Sequence, residues 1–150
     1  MIAVDANILV YAHREDSEWH REALAALTGL ANGTRRWAIP WPCVHEFIAI
    51  ATHPSIYVPP TPLGTALAAI EVWLSASSCR AIGEGPEHFA VVKALAIKGR
   101  IQGPMIHDAR IAAICLQNGV AELWSADRDF SRYEQLKVVN PLVVRVERNT

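Results

Sequence analysis

The chain has 150 residues, 51% of them hydrophobic and 19% charged, with a formal net charge of −1. This composition excludes a disordered chain, and the charge excludes a strongly basic nucleic-acid coat protein. The apolar runs are too short to cross a bilayer, and the N-terminus shows no basic leader region. We therefore expect a single domain over residues 1–150, in the cytoplasm and without a membrane partner. The three scattered cysteines predict reduced thiols.

The N-terminal part of the chain predicts a strand followed by two helices. The segment IAVD predicts a buried strand that ends at Asp5, and NILVYAHRE predicts a short helix directly after it. A second helix is predicted over SEWHREALAALTGLA, with Ser17 as its N-cap and Gly33 near its end.

The middle of the chain predicts two more strands and three helices. WAIP (37–40) predicts a strand, and Pro42 opens a helix on which Glu46 points away from the apolar stripe. The segment 53–64 contains four prolines and is therefore an extended loop. After it we expect a helix over LGTALAAIEVWLSAS, a strand at Cys79–Ile82 and a helix from Pro86 to Ile97.

The C-terminal part continues the alternation of helices and strands. We expect a helix over His107–Leu116, a strand ELWSA that runs into Asp127, and a last strand PLVVRV. Strands that alternate with helices are typical of an α/β fold with a central, mainly parallel sheet.

Five acidic residues lie at matching ends of these units. They are Asp5, Glu46, Asp108, Asp127 and Asp129. Ligands of such a sheet bind beyond the carboxyl ends of its strands, so we expect the acids to converge there. At about 4–5 Å and an effective dielectric near 20, each pair of carboxylates would repel by roughly 3–4 kcal/mol. A divalent cation such as Mg²⁺ or Mn²⁺ would offset that repulsion, although each acid taken singly also fits a helix cap, a turn or a solvated surface.

Several polar neighbours of these acids are candidates for supporting roles. Asn7 and Ser125, each two residues from an acid, are placed to orient a carboxylate or a metal-bound water. Adjacent helix residues diverge by about 100°, so His45 and His107 are not expected to share an ion with the acids that follow them, and their role stays open. Four arginines flank the acidic segments and could hold phosphates or be solvated surface residues: Arg14, Arg110, Arg128 and Arg132.

Four segments around the acids resemble the motifs of a known family. DANILVYA, VHEF, HDARIAA and WSADRDF are similar, in order, to the acidic motifs of PIN-domain ribonucleases, specifically the VapC toxins of bacterial toxin–antitoxin pairs. The similarity runs from Met1 to about Pro141. It implies a PIN-like three-layer fold in which helices flank the parallel sheet.

The resemblance also implies an activity, a cofactor and partners. It implies an endoribonuclease that uses Mg²⁺ or Mn²⁺ to hydrolyse RNA phosphodiester bonds, leaving a 5′-phosphate and a 3′-hydroxyl. It further implies a cognate VapB-type antitoxin and a homodimer. By motif, Asp5 and Asp108 would be the principal metal ligands, Glu46 and Asp127 would complete the catalytic quartet, and Asp129 would be an accessory ligand.

Three other functions fit parts of the sequence. A DNase or flap-type nuclease of the same superfamily would use the same acids, but the short chain lacks the insertions expected for threading DNA. A catalytically silent PIN-like binding module would not need the acids to be intact. Phosphatases and receiver domains also end their first strand with Asp, but the former need a second Asp where this chain has Asn7, and the latter need a further acceptor Asp that is absent here.

Overall fold

The computed structural model describes residues 1–143. Five short strands form one sheet in the order β3-β2-β1-β4-β5, and every neighbouring pair is parallel. The strands are β1 (Ile2–Val4), β2 (Trp37–Pro40), β3 (Cys79–Ile82), β4 (Glu122–Trp124) and β5 (Lys137–Val139).

Six α-helices flank the sheet, which confirms the predicted α/β fold. They are α1 (Ala6–His13), α2 (His20–Asn32), α3 (Trp41–Ala51), α4 (Leu63–Ser75), α5 (His88–Lys98) and α6 (Ile106–Gln117). Short 3₁₀ turns precede α6 at Gly103–Met105 and follow β4 at Arg128–Arg132. Across the described residues 1–143, we find no helix with both the length and the apolar character needed to span a membrane.

The two central strands are apolar because both faces of the sheet are covered. Every residue of β1 and β2 is buried, and Ile2 lies in register with Trp37 on one side and with Glu122 on the other. Near-continuous apolar runs of this kind are typical of parallel sheets packed between helices. Trp37, Phe47 and Phe130 are the largest side chains that are fully buried, and they fill the core.

The helices form two groups, one on each face of the sheet. From β1 to β3 the chain moves outward one strand at a time, and α5 and α6 then bring it back across the sheet to β4. Because such crossovers are right-handed, the reversal places α5 and α6 on the face opposite α1–α4. The packing agrees, since α1 contacts α2 and α3, α3 contacts α4, and α5 contacts α6.

The reversal of chain direction defines a crevice between β1 and β4. The strand after β1 lies on one side of it, whereas β4 lies on the other. Open α/β sheets bind their ligands at such a switch point, beyond the carboxyl ends of the strands. The segments that follow β1 and β4 begin with Asp5 and Ser125, so the fold delivers polar residues to this crevice.

Three predicted details differ from the structure. Ser17 does not cap α2, because its Oγ donates to the carbonyls of Tyr11 and Arg14 while α2 begins at His20. Helix α5 begins two residues after Pro86, which lies in the preceding turn.

The predicted last strand, PLVVRV, also differs. Pro141 and Leu142 form a turn, and Val144–Val146 lie outside the described residues. The fifth strand is instead the short segment Lys137–Val139, which pairs with β4.

Candidate active site

Asp5 is the most enclosed acid of the site. It directly follows β1, is 5% exposed and caps α1, with Oδ1 accepting from the Ala6 backbone N–H at 2.8 Å. The thiol of Cys43 also donates to Oδ1, at 3.5 Å, and Oδ2 accepts from Ser125 Oγ at 2.7 Å and Asn7 Nδ2 at 3.3 Å. Burial raises the pKa of Asp5, while these hydrogen bonds from Ser125, Ala6 and Cys43 act against the rise.

Ser125 and Asn7 connect the segments that follow β1 and β4. Besides donating to Asp5, Ser125 Oγ accepts from Asn7 Nδ2 at 3.2 Å and from the Asp127 backbone N–H at 3.0 Å. Asn7 Oδ1 in turn accepts from the Ala126 backbone N–H at 3.2 Å. The two residues therefore lie beside Asp5 and fix the position of the loop that carries Asp127. The sequence predicts this position for Asn7, whereas it predicts Ser125 only beside Asp127.

Asp108, Asp127 and Asp129 form a tight triplet at the mouth of the crevice. One carboxylate oxygen from each lies within 4.8 Å of the other two. Asp127 caps the 3₁₀ turn by accepting from the Asp129 N–H at 2.8 Å, and Asp108 lies in the first turn of α6. Burial raises the pKa of Asp108 to about 6, and the negative charges of Asp127, Asp5 and Asp129 add to the effect.

Glu46 approaches the same cluster from α3. Its side chain lines a recess of ≈ 320 Å³ together with Asp108, His45, His107 and Arg110. Desolvation in this recess raises the pKa of Glu46, and the charges of Asp5, Asp108 and Asp127 raise it further. Each of the five acids thus lies within electrostatic reach of at least one other, as the sequence predicted for the sheet edge.

The comparison with known proteins is in line with this arrangement. A profile of the PIN domain matches residues 2–136. Ribonuclease VapC43 of Mycobacterium tuberculosis is 34% identical over 142 residues, which are 95% of this chain and 96% of that protein. The chain belongs to the PIN-domain family, in its VapC ribonuclease branch.

Solved structures support the same fold for this PIN-domain chain. Mycobacterium tuberculosis VapC20, described as a sarcin–ricin loop cleaving toxin, matches with a TM-score of 0.66 and 15% identity over 89% of this chain and 95% of its own. VapBC2 from Rickettsia felis, bound to a DNA fragment from its promoter, matches with a TM-score of 0.64 and 20% identity over 93% and 98% of the two chains. At these identities the likeness concerns the fold alone.

Three of the four candidate arginines of this PIN-domain chain lie near the acids. Arg132 donates to the Asp129 carbonyl at 3.1 Å and lowers the pKa of Asp108, so it lies at the acid triplet. Arg110 lines the recess of Glu46, and Arg128 is an exposed residue directly after Asp127.

Arg14 lies elsewhere. It follows the far end of α1, where it forms two hydrogen bonds of 2.8 and 2.7 Å with Asp16 and lies 4.4 Å from the ring centroid of Tyr57. Its Nη1 also donates to Thr61. The structure therefore does not bring Arg14 to the acids, because it points away from the carboxyl edge of the sheet.

Two residues at the site have no predicted role there: Cys43, and Glu84 through its contact with Arg110. Cys43 was expected only as a buried thiol, but it lies one helical turn before Glu46 and donates to Asp5. Glu84, in the loop after β3, accepts from Arg110 Nε. The one-turn spacing of Cys43 and Glu46 was a usable signal, whereas the contact of Glu84 depends on the order of the strands.

The two histidines occupy a position that helix geometry alone did not predict. His45 and His107 each precede an acid, yet both line the recess with Glu46 and Asp108. The recess is wide enough for two consecutive residues of α3 and two of α6 to line it. Their function stays open, but they belong to the surroundings of the acids.

Proposed function

We propose that this VapC-family chain is a metal-dependent endoribonuclease that acts as the toxin of a toxin–antitoxin pair. The observation that carries the proposal is the convergence of five carboxylates at the β1–β4 switch point of a PIN domain. The acids are those that the sequence singled out: Asp5, Glu46, Asp108, Asp127 and Asp129. Relatives that are named ribonucleases align over nearly the whole chain, which supports RNA as the substrate.

The donor set fits a hard divalent cation, and we propose Mg²⁺ or Mn²⁺. Only carboxylate oxygens make up the triplet of Asp108, Asp127 and Asp129, and oxygen ligands suit both ions. Burial raises the pKa values of Asp108 and Glu46, and the negative charges of the neighbouring acids raise them further, which a bound cation would counteract. When bound, such an ion supplies charge neutralisation and a more acidic water.

The acids around the proposed ion have different roles. Asp5 is held by four hydrogen-bond donors, so its carboxylate is oriented before any ligand arrives. Asp108 and Asp127 present their oxygens at the open side of the crevice, with Asp129 beside them as an accessory ligand. Glu46 lines the recess beside Asp108 and is the acid that we propose accepts the proton that an attacking water loses.

The arginines next to the acids are the proposed contacts for the RNA backbone. Arg132 and Arg128 follow the acid loop, and Arg110 borders the recess, so phosphates on both sides of the cleaved bond could be held. We give Arg14 no part in this contact, since its guanidinium is engaged by Asp16 and Thr61.

A VapB-type antitoxin and a second copy of the chain are the proposed protein partners. VapBC2 of Rickettsia felis and VapBC-1 of Haemophilus influenzae share the fold over more than nine-tenths of this chain, which supports an antitoxin of the VapB kind. Size-exclusion chromatography with light scattering would show the mass of a dimer.

Purified protein incubated with total RNA tests the enzymatic proposal. We expect cleavage with Mg²⁺ or Mn²⁺, none with EDTA, and 5′-phosphate ends on mapping. Asp16→Asn is a matched control, because Asp16 is an exposed carboxylate at the far end of α1. Cleavage that persists in EDTA would refute the metal site, and cleavage of DNA instead of RNA would assign the chain to the DNases of the superfamily.

A further inference from the structure

Arg110 lies between the acidic recess and a carboxylate outside it. Helix α6 places Arg110 two residues after Asp108, and its side chain lines the recess with Glu46 and Asp108. Its Nε donates to Glu84, which lines an adjoining depression with Gly83 and Asn118. One guanidinium therefore borders the acid cluster while it is paired with an acid that does not belong to the cluster.

The backbone that carries Glu84 is fixed between α3 and α6. The Gly83 carbonyl accepts from Asn118 Nδ2 at 3.1 Å, and Gly83 packs so closely on Trp41 that a Cβ would lie 3.2 Å from its Cδ1. These contacts hold the backbone next to Glu84 in place if the arginine moves toward the recess. The two residues can therefore separate by rotation of the arginine side chain alone.

The ion pair of Arg110 and Glu84 is open to exchange. The Arg110 side chain is 41% exposed and that of Glu84 34% exposed, so solvent screens their attraction and the pair adds little net stability. A guanidinium presents the same fork of donors to a phosphate as to a carboxylate. A phosphate that enters the recess can thus take over the arginine at small cost.

A phosphate that enters the recess needs a positively charged side chain beside it, because acids line the recess. Glu46 and Asp108 both line it, and their charges oppose the approach of any phosphate. A metal ion at the acids neutralises them only locally. The nucleotide next to the cleaved bond would still meet a carboxylate-rich wall, and Arg110 is the guanidinium that lines this recess.

We propose that Arg110 binds the RNA phosphate next to the cleaved bond and that Glu84 is its resting partner, from which that phosphate displaces it. The inference rests on the proposed ribonuclease function and adds a subsite to it. Glu84 competes with RNA for the same guanidinium, so removing the charge of Glu84 strengthens RNA binding, whereas removing that of Arg110 weakens it.

The test measures RNA affinity apart from cleavage. A fluorescent single-stranded oligoribonucleotide of mixed sequence is titrated with the full chain in Ca²⁺, which binds oxygen ligands as Mg²⁺ does, and anisotropy is recorded at several salt concentrations. The variants are Glu84→Gln, Arg110→Gln and the double variant. Glu87→Gln removes a charge from the same segment, and Arg80→Gln removes an exposed arginine of β3, so they control for net charge.

Opposite effects are expected from the two single variants. Arg110→Gln lowers the affinity about tenfold, the usual loss for a hydrogen bond to a charged group, and reduces the salt slope by about 0.7. Glu84→Gln raises the affinity about threefold, and more than Glu87→Gln does. In the Arg110→Gln background, Glu84→Gln has no effect beyond that of Glu87→Gln.

Three other results would contradict the inference, and each has a different meaning. If the wild-type chain binds RNA and neither variant differs from its control, Arg110 does not contact the phosphate. If both variants weaken binding and lower the melting temperature equally, the ion pair is a structural link between α6 and the β3–α5 loop. If the wild-type chain binds no RNA at all, the proposed function itself fails.

Discussion

The two sides of the acid site are held in place by different means. Asp5 is buried and receives hydrogen bonds from a backbone N–H, an amide, a hydroxyl and a thiol. Asp108 and Glu46 lie opposite, and within residues 1–143 no hydrogen-bond donor reaches either carboxylate. Burial and mutual repulsion raise the pKa values on both sides, but only Asp5 has donors that counteract the rise.

The hydrogen bonds on the Asp5 side form when the protein folds. The negative charge on the Asp108 side is neutralised only when a cation binds. The Asp5 side is preorganised, since its hydrogen bonds form with the β1–β4 pairing itself. The Asp108 side keeps negative charge that Arg132 offsets only in part, which disfavours the folded protein but favours cation binding. Substitutions on the two sides should therefore have different effects on stability even where both abolish activity.

The largest effect is expected from Asp108→Asn. This variant should lower the rate of RNA cleavage at least about a hundredfold, because a neutral amide cannot replace the anionic ligand that we propose for the metal. The measurement is the initial rate on total RNA in Mn²⁺, with Asp16→Asn as the control that keeps full activity. Growth arrest on expression without an antitoxin should disappear in parallel. An Asp108→Asn protein as active as the control would remove Asp108 from the site.

Ser125→Ala should have the largest effect on stability. The variant leaves Asp5 Oδ2 without its shortest hydrogen bond and the Asp127 N–H without its acceptor, so the free energy of unfolding should fall by about 1–3 kcal/mol. Urea denaturation measures the change, and Ser131→Ala, at an exposed position of the next turn, is the control. Equal stability of the two variants would show that the Asp5 side is not held by this hydrogen bond.

The Asp108 side should instead make the metal-free protein more stable in mild acid. The pKa of Asp108 is about 6 in the folded chain, whereas its ordinary value is 3.8. At a pH between these two pKa values, the carboxyl of Asp108 is protonated in the folded state and ionised in the unfolded state. Stability from this group is lost as pH rises toward 6. In EDTA, the melting temperature should be higher at pH 5 than at pH 7.

Two comparisons isolate the contribution of Asp108 to that pH dependence. Asp108→Asn should raise the melting temperature at pH 7 and flatten its dependence on pH, and Mn²⁺ should stabilise the wild type more at pH 7 than at pH 5. The lowered pKa values of Glu84 and Asp16 act in the opposite direction in both proteins and cancel in the comparison. A slope unchanged by Asp108→Asn would contradict the repulsion.

The smallest effect is expected at Tyr133, which follows the turn that carries Asp129. Its ring is buried, and its hydroxyl has no hydrogen-bond partner among the described residues. Tyr133→Phe should leave the free energy of unfolding unchanged or raise it by up to about 1 kcal/mol, because an unpaired buried hydroxyl contributes nothing. Destabilisation in urea would mean that an internal water pairs with the hydroxyl.

The sequence predicted the bounds of two strands well. Strands β2 and β3 begin and end where the sequence predicted. The four residues of β2 form a buried run, WAIP, that ends where Pro42 predicts a helix start. Asn7 and Ser125 contact the acids that lie two residues from them, Asp5 and Asp127, but the sequence does not predict that Ser125 also donates to Asp5. These features depend on local pattern and on the direction of the strands, which the sequence carries directly.

Features that depend on distant packing were missed. The segment Lys137–Val139 is too short to show a period, and only its pairing with β4 makes it a strand. Arg14 was expected near the acids, but Asp16 holds it at the other end of α1. The contact of Glu84 with Arg110 spans the loop after β3 and helix α6, and no local pattern predicts that these approach each other.

The bond between Ser125 and Asp5 also bears on the synthesis of the protein. The two residues are 120 positions apart in the chain, although they directly follow the adjacent strands β1 and β4. A ribosome-bound nascent chain that holds β1, β2 and β3 has Asp5 without Ser125, Asp127 or Asp129. The acid site can therefore form only after β4 has emerged and paired with β1, so the ribosome carries a chain with an incomplete site through most of synthesis.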